Sequence, residues 1–575
     1  MKRWFPVLVL LTCASQSAAE DLLRFDFSKV AASFPIEDRS KVAVAGAGLT
    51  VAIERPFARP QDRYVEALLQ IAPDGVPLHD VRVRAQLFNV ADGKAVSTLT
   101  VAPTAERARV LADMRAARQP AMGLRVELLQ SSKVLAVAQA LLRAQECDRP
   151  LQPAEKVRIG LDGPEGAGAL SQWPVTFGVP FPAGALWDIG RLRLVDGKGR
   201  ELPAQTEAVA HWAREGAIQW VRFDALVSPP DGCFVAMAES ARPSPEPAEK
   251  VRVVERGDSV TIHVAEAEYA LGKGSSPIRQ VSMDGRLVAT AAGARGLYVI
   301  SHDGKLAAAS AEGETLLTES RGPIAACVRF EGPYRTADGG EQARHITRVE
   351  FFAGRPAAFI THTLILTNDT NKVWFTDVGW ELSVHPGDGA KALFGVSRTD
   401  WAKSFQHPLQ TGRAAFMLQD DYTQFSGGRK RFIVAEDSPS RTLLEGDECG
   451  DWAAVQGKSA GLMVSCRDAA RQHPKEFEAS AAKLNLKLFS GRAGEHLDFR
   501  PPALAKRWNK GGKIPPALQE QILKQPSNAV GWAKTHQFLF RPVPSSATAD
   551  EMARLSRLHS TPVLALADPE WIHRS

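Results

Sequence analysis

The chain has 575 residues, of which 44% are hydrophobic and 23% are charged. This balance is typical of globular proteins and excludes a disordered or fibrous chain. At roughly 150 residues per domain, the length predicts about three or four domains, or two larger β domains. The formal net charge is only +5. Nucleic acid is therefore not expected as the main partner, because phosphate binding needs a concentrated basic surface.

The N-terminus has the pattern of a secretory signal peptide. Lys2 and Arg3 precede an apolar run at residues 4–11, and small residues follow up to Ala19. We expect cleavage after Ala19, which makes residues 1–19 a signal peptide and the mature protein secreted or periplasmic. The apolar run is far shorter than the roughly 20 residues that span a bilayer. No later stretch is long and apolar enough for that role, so no integral membrane segment is expected after cleavage.

Cysteine use is sparse beyond the signal peptide. The remaining cysteines are Cys147, Cys233, Cys327, Cys449 and Cys466. An odd number excludes a fully paired disulfide framework. Cys449 and Cys466 flank an apparent hairpin and are the candidate pair, and the alternative is that most of these cysteines are buried free thiols. The sequence has no Cys-x-x-Cys, His-Glu-x-x-His or calcium-loop pattern, so neither a metal site nor a cofactor is expected.

Alternation of apolar and polar residues dominates the chain. Residues 81–87, 192–194 and 260–264 alternate strictly. Asp-Gly pairs recur between such runs and suit tight hairpins, because both central residues of a type I′ turn need positive φ. Alternating strands and long helices do not occur in the pattern, and neither does a glycine-rich phosphate loop. We therefore expect a mainly β protein of antiparallel sheets, built as sandwiches or barrels.

Breaks in this pattern divide the mature chain into four segments. Residues 20–150 are expected to form a β-sandwich, residues 155–240 a second and smaller β unit, and residues 250–510 a large antiparallel sandwich. The proline-rich stretch at 240–247 cannot continue a strand ladder and is expected to be a linker. Residues 515–575 contain segments with helical spacing, which predicts a short helical C-terminal tail.

The second unit carries a resemblance to a known family. The matching stretches are residues 173–186 (beginning Trp-Pro-Val-Thr-Phe-Gly-Val-Pro), 192–196, 201–205 and 218–223. They closely resemble the small RIFT-barrel domain that begins the exo-rhamnogalacturonan lyase/YetA-like family of secreted bacterial and fungal proteins. In that family a galactose-mutarotase-like β-sandwich and then an (α/α) toroid follow the barrel. The resemblance implies a RIFT-type barrel at 155–240 and a mutarotase-like super-sandwich at 250–510.

Three later stretches are also similar to the family. They are residues 472–478 (Gln-His-Pro-Lys-Glu-Phe-Glu), 531–538 (Gly-Trp-Ala-Lys-Thr-His-Gln-Phe) and 567–571 (Ala-Asp-Pro-Glu-Trp). The resemblance thus covers roughly residues 155–575, while residues 20–150 look like an added sandwich and a candidate for carbohydrate binding.

Relatives continue into the toroid where this chain stops. The alternatives are a separately encoded toroid that acts as a partner, a truncated gene, and a non-catalytic remnant. On this basis we expect residues 545–575 to pack poorly as the start of a missing toroid. Val563, Leu564 and Leu566 should then be more exposed than is usual for their type, because their helical partner is missing.

The resemblance implies β-elimination at a uronic acid of a pectin-type acidic polysaccharide. That reaction needs a cation to neutralise the carboxylate and stabilise the enolate, a base to take the proton, and an acid for the leaving oxygen. Arg suits the first role because its planar fork grips a carboxylate with two hydrogen bonds. The candidate catalytic residues are His407, Tyr422 and Arg413, and the candidate substrate-binding residues are Arg344, His362, Trp401 and Lys403.

Each candidate has a structural alternative. His362 lies in an alternating run, where a packed or solvent-facing histidine is more common than a catalytic one. Tyr422 is one of only five tyrosines, yet a buried tyrosine with a satisfied hydroxyl is the more common case. Trp401, two residues from Lys403, would give a sugar ring an apolar platform beside a charge.

Three functions remain in competition at this point. The first is a secreted polysaccharide lyase or lyase-like protein, and the second is a glycan-binding or accessory module without turnover. The third, a hydrolase or epimerase, ranks lowest because no carboxylate pair stands out in the sequence. In each case the expected partner is an acidic polysaccharide or oligosaccharide, and whether the protein is an enzyme is left open.

Overall fold

The computed structural model describes residues 48–53, 57–58, 64–73, 75–89, 93–113, 121–144, 156–164, 170–182, 185–212, 217–228, 232–420, 431–508 and 515–575. The expected signal peptide at residues 1–19 and the candidate Tyr422 lie outside the described residues. The mainly β fold with large antiparallel sheets is confirmed, and helices are few.

The first unit is a sandwich of two sheets. Its strands are β1 (Gly48–Ile53), β2 (Phe57–Ala58), β3 (Tyr64–Ala72), β4 (Val81–Asn89), β5 (Ala95–Val101), β6 (Arg107–Asp113), β7 (Ala121–Gln130) and β8 (Lys133–Ala144). One sheet has the order β1-β3-β6 and the other has the order β2-β8-β7-β4-β5. Alternate residues such as Val83 and Leu87 of β4 and Leu124 and Val126 of β7 fill the core, as the sequence pattern requires.

The second unit is a small barrel-like pair of sheets. Its strands are β9 (Lys156–Asp162), β10 (Trp173–Pro180), β11 (Leu192–Asp196), β12 (Glu201–Leu202), β13 (Ala204–His211), β14 (Ile218–Val227) and β15 (Cys233–Met237). The described strands form sheets of order β10-β14-β13 and β12-β11-β15-β9-β38, of which β38 comes from the far end of the chain. The parallel-stacked rings of Phe177 and Phe223, with centroids 5.1 Å apart, lie in its core.

The third unit is a continuous antiparallel sheet that folds on itself. Its first strands are β16 (Arg252–Arg256), β17 (Ser259–Val264), β18 (Ala267–Gly272), β19 (Ile278–Met283), β20 (Arg286–Thr290), β21 (Gly296–Ser301), β22 (Leu306–Ala309), β23 (Thr315–Arg321), β24 (Ala325–Thr336), β25 (Glu341–Phe352), β26 (Arg355–Ile365) and β27 (Phe375–Val384). The remaining strands are β28 (Lys391–Gly395), β29 (Ser404–Pro408), β30 (Ala414–Gln419), β31 (Phe432–Glu436), β32 (Thr442–Gly446), β33 (Trp452–Gln456), β34 (Ala460–Cys466), β35 (Lys475–Ser480), β36 (Lys483–Phe489) and β37 (Ala533–Pro544). Within the described residues this sheet has 22 strands.

Two layers of this sheet enclose the main hydrophobic core. One layer has the order β23-β24-β25-β26-β37-β34-β33-β28-β29. The other has the order β22-β21-β27-β36-β35-β30-β31-β32. Trp380 of β27 packs edge-on against Phe538 and Phe540 of β37, with ring centroids 5.7 Å and 5.6 Å apart. The layers therefore meet through interlocking aromatic side chains.

Four α-helices lie in the C-terminal part of the described chain. They are α1 (Pro501–Trp508), α2 (Pro516–Leu523), α3 (Ala549–Ser560) and α4 (Pro569–Arg574). Helix α3 begins with a capping box, in which the Thr548 side chain accepts from the Glu551 backbone and the Glu551 side chain accepts from the Thr548 backbone. Strand β38 (Leu564–Ala567) separates α3 from α4.

The C-terminal segment packs more tightly than expected. Strand β38 pairs antiparallel with β9 of the barrel, and Met552 and Ala553 of α3 are buried against the large sandwich. Val563 is only 7% exposed, so its expected exposure is wrong. Leu564 and Leu566 are 49% and 60% exposed, as expected. Their exposure follows from strand alternation, because the alternate Ala565 and Ala567 face the barrel core.

Both free-thiol and disulfide arrangements were compatible with the sequence. In the structure Cys449 and Cys466 are buried free thiols, as are Cys233 and Cys327. Burial is the main cause that raises the pKa of Cys466 to about 12, so this thiol stays protonated and unreactive at neutral pH.

Trp571 of α4 fixes the C-terminus to the barrel. Its side chain is 4% exposed, its indole N–H donates to the carbonyl oxygen of Pro180 at 2.7 Å, and its ring lies 6.1 Å from that of Phe181.

We predict that Trp571→Ala lowers the free energy of unfolding by about 3–5 kcal/mol, because it leaves a cavity in the barrel core. Leu566→Ala, at an exposed position of the neighbouring strand, should change it by no more than about 0.5 kcal/mol. Denaturant unfolding of the two variants tests this, and equal stabilities would contradict the described packing.

Candidate functional site

The described residues singled out from the sequence do not form one site. His407 and Arg413 come together at one carboxylate: His407 Nε2 is 3.6 Å from Glu436 Oε1, and Arg413 Nη1 is 2.9 Å from Glu436 Oε2. Arg441 Nη2 also approaches Glu436 Oε2, at 2.5 Å. The charge that Arg413 would offer to a substrate is thus already shared with an internal partner. This cluster therefore has the character of a structural ion-pair network.

The four candidate substrate-binding residues are equally dispersed. Arg344 lies half-buried on β25, with Nη1 3.8 Å from Glu341 Oε1. Trp401 is half-buried, and Lys403 is exposed at the rim of a cleft beside β28. His362 is fully buried in the sandwich core. Lys403 thus lines a cleft, whereas His362 is closed off from solvent.

His362 belongs to a buried polar network between strands. Its Nδ1 lies 2.9 Å from Thr347 Oγ1, and its Nε2 lies 3.2 Å from the Tyr334 hydroxyl. Thr347 Oγ1 is also hydrogen-bonded to His345 Nδ1, at 3.0 Å. Burial is the main cause that lowers the pKa of His362 well below its ordinary value, and the nearby His345 adds to this effect. The imidazole is therefore neutral at physiological pH, and its hydrogen bonds are satisfied internally.

The two family-like stretches at residues 472–478 and 531–538 meet in the interior of the large sandwich. His536 Nδ1 lies 3.0 Å from Gln472 Oε1 and 3.3 Å from Lys475 Nζ, and the ammonium donates to the carbonyl oxygen of Leu488 at 2.5 Å. Burial lowers the pKa of Lys475 to about 8. Because Lys475 and His536 are both buried, this contact joins β35 to β37 and is closed to a polysaccharide.

A cleft of about 440 Å³ lies where the barrel, the large sandwich and the C-terminal segment meet. The barrel contributes Trp173, Pro174, Val175, Thr176 and Arg222, the sandwich contributes Glu350, Phe352, Phe359, Ile360, Thr361, Arg467 and Gln537, and the C-terminal segment contributes Leu558, His559, Pro562, Val563 and Leu564. The sandwich residues other than Ile360 and Arg467 are the outward members of alternating strands whose inward members fill the core. The volume of this cleft is within the range of ligand sites, about 300–1,000 Å³.

Aromatic side chains form part of the cleft wall. Phe352 and Phe359 are half-buried neighbours on β25 and β26, with ring centroids 5.3 Å apart and an edge-to-face arrangement. On the barrel side the Arg355 guanidinium lies 4.5 Å from the centre of the Trp173 ring. Such a wall offers apolar faces on which the C–H groups of a sugar can pack.

Charged groups complete the cleft. Arg222 Nη2 lies 3.1 Å from Asp224 Oδ1, while its Nε is buried with no hydrogen-bond partner among the described residues. Arg467 Nη1 donates to Gln537 Oε1 at 2.8 Å, which holds the guanidinium at the cleft. Burial raises the pKa of the Glu350 carboxyl, with the Arg222 charge acting in the opposite direction. The cleft thus presents two guanidinium groups and one carboxyl that protonates more readily than an exposed one.

His559 is the imidazole of this cleft. Its Nδ1 lies 3.2 Å from Ser465 Oγ. Burial lowers the pKa of His559 to about 3, and the charge of Arg467 contributes to the same shift. His559 is therefore a neutral imidazole throughout the physiological pH range.

The described part of the chain has neither a metal-binding cluster nor a membrane-spanning helix. No group of three or more His, Cys, Asp or Glu side chains there is arranged to hold a metal ion. None of the helices described is long and apolar enough to cross a membrane.

Comparisons with known proteins support the fold of the barrel. Residues 165–228 match the PcRGLX-like N-terminal RIFT barrel domain family. No curated protein matches the chain. Among solved structures, a glycosyl hydrolase family 38 protein from Enterococcus faecalis is similar over 72% of this chain and 48% of its own, with 7% identity and a TM-score of 0.43.

Two further solved structures are also similar. An α-mannosidase from Enterococcus faecalis V583 has 9% identity and a TM-score of 0.38, covering 72% of this chain and 46% of its own. A putative aldose 1-epimerase from Klebsiella pneumoniae subsp. pneumoniae MGH 78578 has 11% identity and a TM-score of 0.26, covering 54% of this chain and 87% of its own. This chain spans about half the length of the two Enterococcus proteins it resembles.

Sequence reasoning missed the cleft residues for a simple reason. Arg222, Glu350, Arg467 and His559 are spread over more than 300 positions, and no local spacing joins them. One signal was present, because Trp173 begins the barrel motif. Its position at the cleft depends on the docking of the barrel against β25 and β26, which no pattern within either unit predicts.

The neutral state of His362 leads to a testable pH dependence. An unfolded histidine has a pKa of about 6.5, and the pKa of folded His362 is well below that. As the pH falls below about 6.5, the unfolded chain binds a proton that the folded chain does not, so stability decreases. We predict that the free energy of unfolding of His362→Gln falls less steeply between neutral and acidic pH than that of the natural protein. His79→Gln, at an 81% exposed side chain, serves as the control and should leave the slope unchanged. Parallel pH profiles for His362→Gln and the natural protein would contradict the prediction.

Proposed function

We propose that this is a secreted carbohydrate-active protein that binds an acidic saccharide in the cleft between the barrel and the large sandwich. The observation that carries the proposal is the convergence of an aromatic wall with the guanidinium groups of Arg222 and Arg467 in one cavity. Sugars pack their apolar faces on aromatic rings, and Arg binds a carboxylate through charge-assisted hydrogen bonds.

The polar lining of the cleft suits the rest of a sugar. Thr176 and Thr361 offer hydroxyl groups, and Gln537 offers an amide. The buried Nε of Arg222 is a donor with no acceptor among the described residues, and a ligand oxygen would satisfy it. A uronic acid residue combines the carboxylate, hydroxyl groups and C–H face that this lining matches.

Binding without turnover is better supported than elimination. General-base catalysis is most efficient when the pKa of the base is near the working pH. The pKa of His559 is about 3, which makes this imidazole a weak base for a proton next to a carboxylate. In the second candidate function, β-elimination, Glu350 with its raised pKa would act as the acid and the two guanidinium groups would stabilise the enolate.

A charge-removing variant tests the binding site. We predict that Arg467→Ala weakens binding of acidic oligosaccharides about ten-fold or more, because a hydrogen bond to a charged group contributes about 1.5–3 kcal/mol. Arg471→Ala removes the same charge from an exposed position outside the cleft lining and should bind as the natural protein does. Isothermal titration with homologous acidic oligosaccharides measures both, and raising the salt concentration should weaken binding by the natural protein.

The outcomes separate the candidate functions. Equal affinities of Arg467→Ala and Arg471→Ala would exclude the cleft as the binding site. Release of an unsaturated uronate, followed by its ultraviolet absorbance and lost in Glu350→Gln, would establish the lyase in place of the binding protein. Absence of binding to every acidic saccharide would overturn the proposal.

Secretion is the part of the proposal that rests on residues 1–19. We predict that the protein recovered from the periplasm or the culture medium begins at Glu20 and that its net charge is close to +3, because cleavage removes Lys2 and Arg3. Mass spectrometry of the intact fractionated protein measures the new N-terminus. Retention of residues 1–19 in an otherwise cytoplasmic protein would contradict this assignment.

A further inference from the structure

The interdomain cleft continues as an open surface on the outer face of the barrel sheet β10-β14-β13. Thr176 of β10 and Arg222 of β14 line the cleft. Side chains two residues apart on a strand share one face, so Gly178 and Trp220 are the next outward residues along these two strands. Both are exposed and lie just beyond the cleft lining. A ligand in the cleft therefore has an open path across the barrel surface toward Trp220.

Trp220 is a large aromatic side chain that this surface leaves uncovered. It is 37% exposed, whereas its neighbours Val221 and Phe223 on the opposite face of β14 fill the barrel core. The indole leans across β10, because a Cβ built at Gly178 would lie 3.5 Å from Trp220 Cε3 and 3.6 Å from Cζ3. The ring is thus supported by the backbone at Gly178, and this glycine has no side chain to cover it.

A β-bulge in β13 enlarges the apolar surface beside Trp220. Ala208 pairs with Val221 and Ala210 pairs with Trp220, so Val209 between them is left out of the described ladder. Val209 is 56% exposed. Bulges bend a strand, change the direction of a side chain and are over-represented next to active sites. The irregularity therefore adds an exposed aliphatic group at the point where the ring lies.

Polar groups border the ring and favour a sugar over a protein partner. Glu207 of β13 is exposed and lies opposite Arg222 in the ladder, and the exposed Thr176 donates to Asp224 Oδ1 at 2.6 Å. A protein interface of standard size buries about 800 Å² on each partner around an apolar centre. This surface instead has one ring among small and charged residues. A sugar residue can pack its C–H face on such a ring and exchange hydrogen bonds with the polar groups around it.

We propose that Trp220 forms a second sugar subsite, so that the ligand of the interdomain cleft is an oligosaccharide that extends across the outer face of the barrel. This inference rests on the proposed function of the cleft. Trp220 and Arg222 are about 7 Å apart along β14, which is comparable to the length of one residue in a sugar chain. The acidic residue then lies at Arg222 and Arg467, and the next residue of the chain packs on Trp220.

The dependence of affinity on chain length tests the subsite. Suitable probes are galacturonate and glucuronate, each as the monosaccharide and within a linear trisaccharide, titrated calorimetrically into the full chain. We expect the natural protein to bind the trisaccharide about ten-fold more tightly than the monosaccharide. Trp220→Ala should remove this gain and leave the monosaccharide affinity unchanged, whereas Trp220→Phe, which keeps a ring, should retain most of the gain.

Trp532→Ala is the matched control. Trp532 is 39% exposed, nearly as Trp220 is, but it lies in the large sandwich outside the cleft lining. This variant should bind both probes as the natural protein does. Denaturant unfolding of each variant, with a midpoint close to that of the natural protein, verifies that a loss of affinity is a loss of contact with the ligand.

The outcomes separate the subsite from the proposed function. Arg467→Ala should weaken binding of monosaccharide and trisaccharide alike, whereas Trp220→Ala should weaken binding of the trisaccharide alone. A trisaccharide that binds no more tightly than the monosaccharide, or equally well to Trp220→Ala, would overturn the subsite and leave the cleft as the binding site. Equal weakening of both probes by Trp220→Ala would also overturn it, because the ring would then belong to the cleft itself. Failure of every probe to bind would overturn both proposals.

Discussion

The contact of Trp380 with Phe538 and Phe540 is the interaction on which the rest of the large sandwich depends. These rings lie between the two layers and fix strand β37 in the middle of its layer, between β26 and β34. A strand has two faces, so fixing the inward aromatic residues also fixes the outward ones. Gln537 is held toward the interdomain cleft in this way, while His536 is held in the core next to Gln472 and Lys475. A shift of one residue in β37 would exchange these two environments.

The buried polar groups of the large sandwich help to specify strand register more than they supply chemistry. His362, His536 and Lys475 are buried, and burial lowers the pKa of each. In this neutral or partly neutral state their hydrogen bonds can be satisfied at lower cost than those of buried ions. Each can pair only with particular partners on neighbouring strands, which favours one register over its alternatives. Lys475 and His536, the conspicuous residues of two family-like motifs, are thereby explained by packing.

The fold could be predicted from the sequence to a much greater degree than the site could. Strict alternation in residues 81–87 and 260–264 specifies strands, and the barrel motif at 173–186 specifies its unit, because these signals are local. Strand β37 lacks strict alternation, because Phe538, Leu539 and Phe540 are consecutive and all buried, and the prediction of a helical tail over residues 515–575 therefore missed the strand that completes the sheet. Functional sites are harder to predict, because they depend on which outward strand faces come together in the folded protein. The sequence made His362 a candidate for substrate binding. The positions of Trp380 and Tyr334 in the core show that the His362 side chain lies on the inward face of its strand. Arg467 carried no local signal, and its position at the interdomain cleft depends on the approach of the barrel.

The pairing of β38 with β9 makes the barrel a discontinuous domain. One of its sheets joins residues 156–162 to residues 564–567, with the whole large sandwich between them in the chain. A ribosome releases β9 long before β38 exists, so that edge stays open during most of synthesis. Closing so long a loop costs conformational entropy, and a barrel of contiguous residues would avoid this cost. An open strand edge is also a template for pairing with other chains. Residues 155–240 cut out at their apparent boundaries would carry the same open edge permanently. The barrel and the large sandwich are thus one folding unit. The sandwich is the connection that returns the chain to the barrel, where β38 pairs with β9.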